Sequence, residues 1–249
     1  MDDGASVREM DLGQMTTTVS VDRGVMQGRI SEGRSYTGRF PVAEVFHRAE
    51  VNAHPVVETS RMTELLIRVL DVVGSLAGLI LASPVIVLAA VLIRITAGGP
   101  VLFRQERVGL RGRLFTLYKF RTMINDAEKQ VGPVWASRND ERVTPVGRIL
   151  RKMRFDELPQ LFNILRGDMS LVGPRPERPF FVDRHKALQG IRLAVKPGLT
   201  GLAQIRGFYD LKPAHKVKYD YLYIQNRSLL LNLYILLRTV PALFIKMGW

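Results

Sequence analysis

The chain has 249 residues, 47% of them hydrophobic, with 36 Lys and Arg, 23 Asp and Glu and no cysteine. That length allows one sizeable core with accessories, and the lack of cysteine excludes a disulfide framework and thiolate metal sites and suits a reducing compartment. The net charge of +13 is uneven: residues 1–60 hold 6 basic and 9 acidic side chains, whereas residues 61–249 hold 30 and 14, so the body suits anionic partners such as phosphates, anionic lipid or nucleic acid.

Residues 1–60 are rich in Gly, Ser, Thr and Arg and show no sustained period of 2 or 3.6. This composition predicts a largely disordered N-terminal tail, with a docking segment around Phe40–Val57 as the alternative. No apolar run opens the chain, so a secretory signal peptide is not expected. There is no internal repeat.

From Val72 to Ile93 the sequence VVGSLAGLILASPVIVLAAVLI runs 22 residues without a charge, and about 20 suffice to span a bilayer core. Ser83-Pro84 lies at its middle, where proline removes a helical hydrogen bond and the serine hydroxyl can satisfy part of the freed backbone. Both flanks are basic: Arg61 and Arg68 precede it, and Arg94, Arg104, Arg107, Arg111 and Arg113 follow. A spanning helix usually shows a charge bias to one side. A re-entrant segment that bends at Ser83-Pro84 and returns to the same face fits best, with a kinked span and a buried soluble helix as alternatives. The boundaries read from this are a tail over 1–60, a membrane segment over 61–97 and a body over 98–249.

Leu114–Met123, LFTLYKFRTM, alternates as a strand does. It puts Tyr118, Phe120 and Thr122 on one face and Lys119 and Arg121 on the other, either a solvated edge or a phosphate-binding face. After the adjacent acids Asp156 and Glu157, apolar Leu158, Leu161, Phe162 and Leu165 follow helical spacing. Pro159 is tolerable only in a first turn, and Gly167 is a natural stop. The helix is therefore expected to begin near Asp156 as N-cap, where the helix dipole favours carboxylates and phosphate. The plain alternative is a capping Asp beside a solvated Glu. Arg151, Lys152 and Arg154 precede the pair. In Gly173-Pro174-Arg175-Pro176 two prolines aim a guanidinium that can grip phosphate with both prongs. Lys196–Gly207, KPGLTGLAQIRG, is a second glycine-rich loop with basic ends. Leu229–Trp249 is apolar but interrupted by Asn232, Arg238, Pro241 and Lys246. It reads as an interfacial amphipathic helix with Tyr234 and Trp249 near headgroups, or as a core-packing helix. The four histidines form no ligand spacing, and no GxxxxGK[ST], GxSxG or HExxH motif occurs.

Taken together, Ser83-Pro84, KFRTM, RFDELPQLFNILRGDMSLVGPRPE, VKPGLTGLAQIRG and KYDYLYIQNRS resemble the bacterial polyprenyl-phosphate sugar-1-phosphate transferases, the monotopic phosphoglycosyl transferases, and in particular the branch that initiates exopolysaccharide repeat units. The resemblance covers roughly Arg61 to the C-terminus. It implies a helix-rich α/β body with short strands and interfacial amphipathic helices. That body would lie on the cytoplasmic face of the bacterial inner membrane, below a re-entrant helix bent at Ser83-Pro84. The implied reaction moves a sugar 1-phosphate from a UDP-sugar to polyprenyl (undecaprenyl) phosphate, with UMP leaving and Mg²⁺ required. Asp156 would be the nucleophile, forming an aspartyl-phosphosugar, and Asp156 and Glu157 the metal-side carboxylates. Lys119, Arg121, Arg151 and Arg175 would grip phosphate, with Gln204 and Arg206 as weaker candidates. Asn232 stands where Asp is common, and Phe208 replaces a small residue. A catalytically silent scaffold of the same fold is the alternative. A nucleic-acid-binding protein would explain the charge but not the uncharged run, so no nucleic acid partner is expected. Homo-oligomerisation is left open.

Overall fold

In a computed structural model of the chain, residues 59–127, 140–207 and 213–245 are described. All belong to a compact unit, Gly38–Trp249. The expectations for the tail and for Trp249 and Phe208 lie outside the described residues.

Helix α1, Arg61–Ala97, is 37 residues long, about 55 Å at the helical rise. Ser60 caps it by accepting from the Thr63 amide, and Glu64 lies in its first turn, both favourable at a positive helix end. Pro84 sits inside the helix. Its missing amide would have bonded the Ile80 carbonyl, and Ser83 Oγ donates to that oxygen instead at 2.8 Å. Among the described residues α1 is the one helix long and apolar enough to cross a membrane. Its buried residues fall in two groups either side of Pro84: Ile67, Asp71 and Ser75, then Ala89 and Ile93. Between them Ile80 and Leu81 are 64% and 80% exposed.

Strands β1 (Leu102–Val108) and β2 (Leu114–Phe120) form an antiparallel hairpin, Leu102 opposite Phe120 and Val108 opposite Leu114. The expected strand ends at Phe120, and Arg121 lies just beyond it. The outer edge of β2 is paired by a side chain rather than a third strand. The Asn163 amide accepts from the Tyr118 amide at 3.0 Å and donates to the Thr116 carbonyl at 2.7 Å.

Helix α2 is Pro145–Lys152, capped by Thr144. Helix α3 is Gln160–Arg166 and ends at Gly167, whose φ of 91° is left-handed and whose amide bonds the Asn163 and Ile164 carbonyls, as expected of a glycine stop. The start of α3 differs from expectation. Phe155–Glu157 is a separate single 3-10 turn, and Pro159, not Asp156, occupies the N-cap position. The buried face also differs: Leu161, Asn163 and Ile164 face inward, while Phe162 is 51% exposed. Pairing Asn163 with the β2 edge rotates the helix to this face.

Strand β3 (Ser170–Val172) pairs in parallel with β4 (Gly198–Thr200). A Cβ at Gly198 would lie 2.0 Å from the Gly173 amide nitrogen, so only glycine permits this approach. Helix α4 (Pro179–Arg184) follows β3, and α5 (Leu202–Gly207), α6 (Pro213–Gln225) and α7 (Leu229–Ile245) complete the fold. The main core joins Leu117 of β2, Leu161 and Ile164 of α3, Val172 of β3, Tyr223 of α6 and Ile235 of α7. A second cluster seats the far half of α1, Ala89 and Ile93, on Phe120 and Leu150. Helix α7 packs into the core, as the core-packing alternative expects. Ile235 is fully buried, while Leu230 and Leu237 are 78% and 73% exposed, so one face packs and the other presents an apolar stripe.

Candidate functional site

The site forms where β2, α2, the 155–157 turn and the loop after β3 converge. Asn163 holds α3 against β2, which sets the turn that leads into α3 beside Lys119. Helix α2 is fixed to the end of β2 by backbone and side chain: the Thr144 amide donates to the Thr122 carbonyl at 3.0 Å, and Arg151 Nε donates to Thr122 Oγ1 at 2.8 Å. Between α2 and Asp156, Arg154 adopts a left-handed backbone, φ 61° and ψ 14°. A non-glycine residue there costs on the order of 1 kcal/mol or more and persists only where its surroundings enforce it.

The two acids are treated differently. Glu157 receives the Arg175 fork, Nη2 to Oε1 at 2.6 Å and Nη1 to Oε2 at 3.4 Å, with Arg154 4.0 Å away. Burial alone would raise the Glu157 carboxyl, but the Arg175 charge and its hydrogen bonds outweigh this and hold it below the ordinary value. Asp156 is buried, 8% exposed, and among the described residues it makes no side-chain hydrogen bond or ion pair. Burial, then repulsion from Glu157, pushes its carboxyl up to about 6, against the pull of Lys119, Arg151 and Arg175.

Among the described residues, Lys119 likewise makes no side-chain hydrogen bond or ion pair. Its ammonium lies 5.0 Å from the centre of the Phe103 ring, on its cross-strand partner. Burial, then Arg107, lowers it to about 8, although Asp156 opposes the shift. Burial also lowers the Arg151 guanidinium. A buried carboxylate and buried cations with shifted titration, gathered at one place, make this the candidate functional site. The backbone contributes less than the sequence suggests. The Glu157 and Leu158 amides already bond the Arg154 and Phe155 carbonyls, so side-chain cations, not a helix terminus, supply the positive field.

The structure thus brings together Asp156, Glu157, Lys119, Arg151 and Arg175. Arg121 is directed elsewhere. It is 6% exposed and donates to the Ala97 carbonyl at 2.7 Å and to Asn125 Oδ1 at 2.5 Å. Because β2 stops at Phe120, the alternation that would align Arg121 with Lys119 does not continue. Gln204 and Arg206 share α5. Both polar atoms of the Gln204 amide are buried without a hydrogen-bond partner, and Arg206 is exposed. Among the described residues, no hydrogen bond or ion pair links either to Asp156, Glu157 or Arg175.

No three metal-ligating side chains converge among the described residues, so the protein alone does not cage a cation. Mg²⁺ commonly takes one or two carboxylates and completes its shell with water and substrate phosphates. Adjacent Asp156 and Glu157, the first with its oxygens unpartnered, fit that use.

Sequence reasoning missed several residues. Asn163 had a signal, a polar residue inside an apolar helical face. Asp71 of α1 accepts from Ser170 Oγ at 2.9 Å and the Leu171 amide at 2.8 Å, tying that helix to β3. Arg107 and Arg192, which donate to the Pro176 and Arg175 carbonyls and so brace the Arg175 loop, carry no local signal at all.

The bacterial sugar transferase family model matches residues 62–246. A Caulobacter vibrioides protein named UDP-glucose:undecaprenyl-phosphate glucose-1-phosphate transferase is 47% identical over 186 residues, 71% of this chain and 68% of that protein. An Aeromonas hydrophila protein named UDP-N-acetylgalactosamine-undecaprenyl-phosphate N-acetylgalactosaminephosphotransferase is 42% identical over 187 residues, 73% of this chain. The match spans only 44% of that longer relative. The exopolysaccharide production protein ExoY of Rhizobium meliloti is 38% identical over 195 residues, 73% of this chain and 86% of ExoY. Because that family model covers most of the chain, from residue 62 to residue 246, the chain belongs to the bacterial sugar transferase family.

Proposed function

We propose that the protein transfers a sugar 1-phosphate from a UDP-sugar to undecaprenyl phosphate, the first step of building a polysaccharide repeat unit. The observation that carries this reading is Asp156: a buried, unpaired carboxylate facing Lys119, Arg151 and Arg175. The names of the Caulobacter and Aeromonas relatives support the donor and acceptor classes.

A carboxylate whose pKa lies near 6 is mostly ionised at pH 7 and is an available nucleophile. One Asp156 oxygen attacks the sugar-bearing phosphorus of the donor. The bond from that phosphorus to the bridging oxygen breaks, UMP leaves with the electron pair, and the sugar phosphate is joined to Asp156 as an acyl phosphate. A phosphate oxygen of the lipid then attacks the same phosphorus, the bond to Asp156 breaks and the carboxylate is restored. Lys119, Arg151 and Arg175 stabilise the charge on the transferring group. Glu157 and Asp156 would hold a Mg²⁺ ion, which would supply further neutralisation of the donor diphosphate.

We place the catalytic body on the cytoplasmic face of the inner membrane with α1 dipping in and returning. Body contacts on both sides of Ser83-Pro84 support this. Asp71 bonds β3 and Ala89 and Ile93 pack on Phe120 and Leu150, whereas apolar Ile80 and Leu81 between them are exposed. A straight spanning helix would carry one of those ends away from the body. The exposed stripe of α7 suits the interface. Cysteines placed at both flanks of α1 in this cysteine-free chain test the topology. An impermeant outside reagent should label neither, and labelling of one flank alone means a spanning helix.

The chemistry is tested by intact-protein mass spectrometry after brief incubation with Mg²⁺ and UDP-sugars, without lipid. A mass gain of one sugar phosphate mapped to the Asp156 peptide is expected. An active enzyme that never forms the adduct would favour direct attack by the lipid phosphate.

A further inference from the structure

Four successive carbonyls of the loop after β3 are each held by a donor. The Gly198 amide donates to the Pro174 carbonyl at 2.9 Å, and the Val108 amide to the Glu177 carbonyl at 3.0 Å. Arg107 Nη1 donates to the Pro176 carbonyl and Arg192 Nη2 to the Arg175 carbonyl, each at 2.9 Å. Two of these donors are backbone amides that any side chain would leave in place. The other two are guanidiniums from distant parts of the chain.

Arg192 is held in turn. Its Nε donates to Asp220 Oδ2 of α6 at 2.6 Å, and both side chains are only 3% exposed. A buried ion pair is a poor device for stability, because desolving two charges offsets most of their attraction and a packed apolar pair often does as well. An apolar pair, however, could not hold the Arg175 carbonyl. The planar guanidinium reaches the carboxylate and the carbonyl at once in a fixed geometry, which a lysine cannot reproduce.

We infer that the Arg192–Asp220 pair is a positioning device that fixes the backbone at Arg175 so that its guanidinium, paired with Glu157, is held where the donor phosphate binds. This rests on the role proposed above for Arg175. Neither Arg192 nor Asp220 touches the reacting atoms; they act through Arg175. The pair also makes the aim of the phosphate grip depend on α6, which packs into the main core through Tyr223 and Ile224.

A double-mutant cycle on the full chain tests this. UMP release is measured with Mg²⁺, undecaprenyl phosphate and a panel of UDP-sugars, including UDP-glucose and UDP-N-acetylgalactosamine, for the unmodified protein, R192K, R175K and the double variant. R192K should lower kcat/KM by up to about 100-fold, the scale of a misplaced group. In the R175K background the same change should cost no more than about twofold, because its route to the reaction is already broken. Losses that multiply would mean that the pair acts independently of Arg175 and would overturn the inference. Normal turnover by R175K, or no UMP from the unmodified protein with every donor, would instead remove the underlying reading and the inference with it. If R192K does not fold, D220N replaces it in the cycle. Failure of both to fold would show that the pair serves only the fold, which also overturns the positioning role.

Discussion

The turn at Arg154–Glu157 and the loop at Pro174–Glu177 face each other across the site and are built in opposite ways. In the turn, one residue is held in a left-handed backbone and the following acid is buried without a partner. In the loop, each of four carbonyls has a donor, and the Arg175 side chain is already paired with Glu157. The group assigned to react is kept unsatisfied, and the group assigned to grip is over-determined. Preorganised cations need not reorganise when charge develops, whereas a nucleophile already bonded would first have to be freed. Glu157 joins the two regions, because its pairing with Arg175 leaves Asp156 as the acid without a partner.

The sharpest way to break this contrast is Asp156→Asn. It nearly preserves shape and removes the reacting charge, so UMP release and lipid product should fall by at least about 10⁴-fold, with the thermal unfolding midpoint unchanged or raised, since an unpaired buried charge has been removed. Residual turnover above that level would demote Asp156 to a metal ligand.

Glu157→Gln takes away the charge that Arg175 pairs with. Turnover should fall about 10²- to 10³-fold, yet some Asp156 adduct should still be trapped in the mass spectrum. Loss of adduct together with turnover would show that Glu157 is needed for the first transfer and not only for the second.

Arg175→Lys keeps the charge and loses the fork, and a decrease of roughly 10- to 100-fold in kcat/KM is expected. Near-normal rates would show that a point charge suffices there.

The pH profile of kcat/KM sharpens the contrast without a substitution. Asp156 must be ionised, and its carboxyl lies near 6, so activity should rise with pH through about 6. Lys119 must be protonated, and its ammonium is lowered to about 8, so activity should decline above about 8. Lys119→Arg should extend the alkaline arm. An alkaline limb that ignores this change would rule out Lys119 as its source.

The smallest effect on turnover is expected from Arg121→Met. The guanidinium secures the end of α1 through the Ala97 carbonyl, so the loss should appear as about 1–3 kcal/mol of stability, with kcat/KM per folded molecule nearly unchanged. A drop in kcat/KM comparable to that of Arg175→Lys would return Arg121 to the phosphate-binding group.

Several features were legible in the residues alone because they are local. Pro84 forces a compensation that Ser83 supplies one residue earlier. Gly167 ends α3 since only glycine enters its conformation without cost. Asp156, Glu157, Lys119, Arg151 and Arg175 were legible as a set only through the family resemblance, since each stretch alone also allowed a plain surface or capping role. The errors arose where tertiary pairing overrode a local rule. Asn163 bonding to the β2 edge turned α3 so that Phe162, apolar and in phase, faces outward. The early end of β2 sent Arg121 to Ala97. The helix start expected at Asp156 became a separate turn.

What the sequence determined by itself, then, is which chemical groups are present and where short-range geometry must stop, kink or alternate, because those depend on backbone sterics within a few residues. Only the tertiary structure decided which acid is left unpaired and which cation is diverted. Those outcomes depend on partners far along the chain: Arg192 with Asp220, Asp71 with Leu171, and Arg107 with Pro176. A hydrogen bond or ion pair between such residues leaves no periodicity in either segment, so its existence is set by the fold that brings the two together.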